Sequence, residues 1–213
     1  LRAFLATCAL ISALTSGLSG CSPAKQPGTS VKANGIVLVT VDGWWDPKAG
    51  VDPFTAESLP GAIRFSDAMT PCPQVRPAVV SILTGQTPDR TGIRDDLTRP
   101  LPPDVPYLPE MIAKNGWQTA AFVATPSVGN GSGLERGFAL FDAPREPVFG
   151  PFRFNPKLRP ADELIKNFST WSKELAADRP FFAWIHLAFG GPAARAAGAP
   201  PPSADAAWKS LMA

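Results

Sequence analysis

Residues Gly35 to Val41 read Gly-Ile-Val-Leu-Val-Thr-Val and run directly into Asp42. A run without polar alternation, built mostly from β-branched side chains, suits a strand covered on both faces, as strands of a parallel sheet are. Parallel neighbours need crossovers over the sheet, so this segment restricts the chain to an α/β architecture with helices on both faces. It also places Asp42 at the strand's C-terminal end, where open α/β sheets collect their ligands.

The rest of the chain keeps the alternation. Val105 to Asn115 carries Leu108, Met111 and Ile112 on one helical face and is closed by Gly116. Trp117 to Ala124 predicts the next strand. Ala161 to Ala177, with Leu164, Phe168, Trp171 and Leu175 at helical spacing, predicts a helix, and Pro180 to Ala188 a further strand. This order predicts a doubly wound, mostly parallel sheet. With 213 residues and 45% hydrophobic composition the chain is one domain, or most of one, with a sizeable core. A formal net charge of +2 with no basic run argues against nucleic acid as a partner.

The ends have a different composition. Leu1 to Gly20 carries Arg2, then an apolar stretch broken by Thr and Ser, then Leu18-Ser19-Gly20-Cys21. It is too short and too interrupted for a membrane span of about 20 apolar residues. It resembles a bacterial lipoprotein signal, which implies cleavage before Cys21, acylation of that residue and anchoring in the cell envelope, at the periplasmic face or the outer membrane. More than one acyl chain would make that anchoring stable. An ordinary export signal ending near a cysteine is the alternative. With Cys8 in the signal and Cys21 acylated, Cys72 has no disulfide partner. The expected division is a signal over 1–20, a linker over 21–34, a folded domain over 35–192, and an Ala/Pro-rich tail over 193–213.

Between Phe65 and Asp96 the chain contains Ser81-Ile82-Leu83-Thr84-Gly85 and then Arg90-Thr91-Gly92-Ile93-Arg94-Asp95-Asp96. Further on come Gly137-Phe138 and Phe141-Asp142. Over about residues 34 to 192 these segments resemble the sulfatase branch of the alkaline-phosphatase-like hydrolases. The resemblance implies that family's doubly wound α/β fold, incomplete at the C-terminus, since relatives continue through an Asp-His-Gly segment and a further sheet. It also implies hydrolysis of sulfate or phosphate esters, of a small molecule or a glycan. The nucleophile would be an oxygen at a helix start, where free N–H groups stabilise an anion.

Counting back from Thr84 puts the motif proline on Pro77, as the expected first residue of the helix. The nucleophile position falls on Val75 and the motif arginine on Val79. An isopropyl group cannot attack an ester. A second register pairs Cys72 with Arg76 as nucleophile and arginine; its proline, Pro73, then falls one place early and Leu-Thr-Gly three places late. Cys72 also fits a small thiol packed under a loop, and Thr70, Ser81 and Thr84 fit local hydrogen bonding to backbone.

Asp42 is the candidate ligand for a divalent cation, Ca²⁺ or Mg²⁺; Gly43 stands where sulfatases have a second Asp. A helix-capping carboxylate is the other reading of Asp42. His186, the only histidine, matches the first His of the relatives' His-x-x-Asp-Pro-His, while Phe189 and Gly191 replace the Asp and the second His. It also fits a hydrogen-bonded strand histidine. The segment Thr125-Pro126-Ser127-Val128-Gly129 has no Lys or His where many sulfatases carry both. Three readings stay open: a sulfatase-like hydrolase, a non-catalytic envelope lipoprotein, and a truncated gene product.

Overall fold

The computed structural model describes residues 35–42, 61–63, 65, 67–96, 99–144 and 158–188. The expected signal, linker and tail, with Cys21, lie outside these residues, as do Gly43, Phe189 and Gly191. Among the described residues four strands form one sheet in the order β1-β4-β2-β3, with β1 at Gly35–Asp42, β2 at Gln118–Val123, β3 at Leu140–Asp142 and β4 at Phe181–Ala188. All neighbours are parallel, and β1 meets β4 from Gly35 opposite Phe181 to Asp42 opposite Ala188. The α-helices among the described residues are α1 at Val75–Thr84, α2 at Pro88–Thr91, α3 at Leu108–Lys114 and α4 at Ala161–Lys173.

The strands sort their side chains by period two. Ala121, Val123, Phe182 and Trp184 pack with Val79, Val80 and Leu83 of α1 on one face. Ala120, Phe122, Ile185 and Leu187 pack with Leu164, Phe168 and Trp171 of α4 on the other. The result is a three-layer, doubly wound α/β sheet, as the alternation predicts. In α1 the buried positions Arg76, Val79, Val80 and Leu83 fall on one helical face. Gly85, at φ 66°, ends the helix and donates its N–H to the Ser81 carbonyl.

Several expectations shift. Among the described residues β1 lies at an edge, so Ile36 and Val37 are 44% and 42% exposed and the strand is not covered on both faces. α3 starts at Leu108 because the prolines before it favour a turn, in which Val105 donates to the Pro102 carbonyl. Its core-facing residues are Pro109 and Ile112, whereas Met111 is 56% exposed. Pro77 is the third residue of α1 and not the first, still within the turn whose N–H groups have no intrahelical acceptor. α4 ends at Lys173, before Leu175. β3, for which the sequence predicted no strand, is a short strand beside β2.

Candidate functional site

The C-terminal ends of β1 and β4 and the start of α1 enclose a cleft of about 410 Å³. Val39, Thr40, Val41 and Asp42 line it from β1, and Thr70, Cys72, Pro73 and Gln74 from the loop before α1. Val75, Ala78, Val79 and Ile82 line it from α1, and His186 from β4. Asp42, Cys72, Val75 and His186, far apart in the chain, therefore meet in one concavity at the end of the sheet where α/β proteins bind ligands.

Val75 opens α1 after Gln74, which is extended and offers no side-chain cap. The cap comes from a distant residue: the Arg76 N–H donates to Asp96 Oδ1 at 2.7 Å. Pro77 has no N–H, so this helix start retains fewer donors for an anion than the sequence implied. Asp96 was visible in the sequence only as part of an alignment anchor.

Arg76 does not line the cleft. It is fully buried, with Nε donating to the Ser127 carbonyl at 2.6 Å and Nη1 to the Arg99 carbonyl at 3.3 Å. Burial lowers its pKa, opposed by the charges of Asp96 and Asp95. Cys72, partly exposed, does line the cleft, so the two residues of the second register have different surroundings. Ser127 belongs to a 3-10 turn, Pro126–Val128.

The nearby hydroxyls bond to backbone. Thr70 donates to the Cys72 carbonyl at 2.7 Å, Ser81 to Pro77 at 2.9 Å and Thr84 to Val80 at 2.7 Å. No three His, Cys, Asp or Glu side chains among the described residues come together to hold a metal. Asp42 supplies one carboxylate, and a complete set of oxygen ligands is not formed by these residues.

His186 is 1% exposed. Its Nδ1 lies 2.8 Å from Thr40 Oγ1, which also accepts from Trp184 Nε1 at 2.9 Å. Burial pushes its pKa down to about 4. An unfolded histidine titrates near 6.5, so from about pH 6.5 to 4 only the unfolded chain takes up this proton. The contribution is intact above pH 6.5 and lost on acidification, by at most about 3 kcal/mol. Urea unfolding at pH 7 and pH 4.5 should therefore show a larger drop for the natural chain than for His186→Gln; equal drops would refute this.

One important group was not read from the sequence. Arg159 joins the ends of β2 and β3 to α4, donating to the Val123 and Asp142 carbonyls at 3.2 and 2.9 Å and to Asp142 Oδ2 and Glu163 Oε1, both at 2.9 Å. Burial alone would lower its pKa, but the hydrogen bonds to Asp142 and Glu163 raise it. An arginine four residues before a glutamate at a helix start was the only local signal.

Comparison with known proteins points one way. The family model described as Sulfatase matches residues 35–191. A delta-4,5-hexuronate-2-O-sulfatase of Bacteroides thetaiotaomicron is 28% identical over 94 residues, which are 42% of this chain and 18% of that protein. A structure solved with its substrate D-glucosamine-2-N,6-O-disulfate superposes with a TM-score of 0.55 at 15% identity, covering 71% of this chain and 33% of the other. A candidate sulfatase of Bacteroides thetaiotaomicron gives a TM-score of 0.50 at 19% identity, covering 75% and 36%. The chain thus spans less than a fifth of the curated relative, at 18%, and about a third of the two solved chains.

Proposed function

The chain belongs to the sulfatase family, and on that ground we propose that its cleft receives a sulfate ester, with phosphate esters as the neighbouring class. In this reading the chain is a hydrolase by descent that holds the ester without a nucleophile of its own at the helix start. The observation that carries the reading is Val75, a hydrocarbon at the first residue of α1, in the same cleft as Asp42 and His186. The carboxylate of Asp96 on the Arg76 N–H supports it, because that donor is taken by the protein itself. A sulfated sugar is the favoured ligand, by analogy with the substrates named for two relatives. The chain would be the N-terminal part of the family's fold. Family members generally use a divalent metal, and Asp42 would be its ligand here; no step is derived through it.

The test is release of 4-nitrophenol from 4-nitrophenyl sulfate and phosphate in buffer with Ca²⁺ and Mg²⁺. The natural chain is expected to release no more than Val75→Pro. Val75→Thr is expected to raise release at least tenfold if loss of the nucleophile was recent. Release by the natural chain that falls at least tenfold in Cys72→Ser, and not in Asp42→Asn alone, would overturn the reading in favour of a hydrolase working through the thiol.

An envelope lipoprotein anchored through Cys21 is part of the same proposal, motivated by Leu18-Ser19-Gly20-Cys21. Detergent-phase partitioning of the expressed chain should disappear in Cys21→Ser. Unchanged partitioning would remove the anchor.

A further inference from the structure

Resting on the reading of this chain as the N-terminal part of the sulfatase fold, we infer that the outer edge of β1 and the adjoining stripe of α1 form a seam for one further strand. That strand is apolar, runs parallel to β1 and comes from the remainder of the fold. β1 has the composition of a strand covered on both faces, yet none of its eight residues is buried, whereas Phe182 to Leu187 of its neighbour β4 all are. Among the described residues no second strand stands on its other side. An edge strand offers a row of N–H and C=O groups, and edges that stay unpaired are guarded by Lys, by Pro or by a bulge. Gly35 to Val41 contains no Lys or Pro, and its ladder with β4 runs one to one without a bulge.

The cleft follows this edge. Val39, Thr40, Val41 and Asp42 line it in succession, and consecutive strand residues point to opposite faces, so they share a cavity because it runs beside the strand. Another wall is α1, where Val75, Ala78 and Ile82 recur at helical spacing and Ile82 is 53% exposed. An apolar, β-branched strand laid here gains both a backbone ladder and side-chain contacts with this stripe, the two parts of strand addition. Every pair in the sheet is parallel, which sets the direction of the added strand. Its source follows from size: the matched part is 33% and 36% of the two solved chains, so in both most of the fold lies outside it. With the strand in place, the ester would sit at the end of the cleft marked by Asp42 and the start of α1.

The probe is a synthetic peptide, Lys-Thr-Val-Ile-Val-Thr-Val-Lys, added to the ¹⁵N-labelled chain. Amide exchange read by NMR is expected to slow at alternate residues between Ile36 and Val41. A spin label on the first residue of the peptide should broaden amides near Gly35 and not those near Asp42. Ile82→Lys, at an exposed position, should weaken binding about tenfold or more while leaving the circular dichroism unchanged. The same peptide N-methylated at alternate residues should not bind. Unchanged exchange in β1, or equal binding of the N-methylated peptide, overturns the seam, and broadening near Asp42 overturns the parallel direction. Light scattering tests the source: a dimer of the natural chain that Ile82→Lys dissolves would place a second copy in the seam and overturn its assignment to the remainder of the fold. Each of these failures leaves the ester reading standing, because aryl sulfate release is measured without the peptide.

Discussion

Arg76→Met is expected to lower the unfolding free energy by about 4 kcal/mol, in the range seen when one partner of a buried polar cluster is removed. The substitution keeps much of the side-chain volume at this fully buried position. What it removes is the guanidinium that satisfies the Ser127 and Arg99 carbonyls and balances Asp95 and Asp96. Two part-buried carbonyls and two carboxylates then lose their cation, and an acceptor left unmatched costs up to about 1–3 kcal/mol. Arg76→Lys keeps the charge but not the fork that reaches two carbonyls, and should fall about midway. The measurement is the urea midpoint at constant slope, or a fall in Tm of about 10 °C for a chain of this size. A loss under about 1 kcal/mol for Arg76→Met would show that the guanidinium does not hold the loops against α1.

Gly137→Ala should cost about as much for a different reason. Gly137 sits at φ 76°, where an L side chain is strained, and an added Cβ would lie 2.5 Å from Pro109 C and 2.6 Å from Glu110 Cα. The obstacle is backbone of α3, which cannot swing aside as a flexible side chain would. Strain of about 1–2 kcal/mol and an overlap of about 1–3 kcal/mol sum to roughly 4 kcal/mol. Gly116→Ala provides the comparison, because Gly116 has a similar φ of 81° with nothing within 4 Å of the added carbon. It should lose only about 1 kcal/mol. Equal losses at the two positions would mean that the close approach of the Gly137 turn to α3 contributes nothing.

Much of the fold was legible because its signals are local. The β-branched run of β1, the apolar face of α4 and Gly116 behind α3 each act within a few residues, so their element types could be read directly. The edge position of β1 could not, since pairing depends on strands elsewhere in the chain and not on the strand's own composition. The face presented by α3 was misread for a similar reason: Met111 and Ile112 are alike in hydropathy, and only the docking of Pro109 against the Gly137 turn decides which points inward.

At the site the division is sharper. From the sequence came the expectation that a hydrocarbon, Val75, stands at the nucleophile position, and residue identity makes His186 the sole imidazole. That Asp96 caps α1, that Arg76 reaches the Ser127 carbonyl, and that Thr40 joins Trp184 and His186 were decided only in three dimensions. Chemical type is carried by each residue wherever it lies. Convergence is not: Thr40 and His186 are 146 positions apart, and they become neighbours only because β1 and β4 pair in parallel in the register that sets one opposite the other.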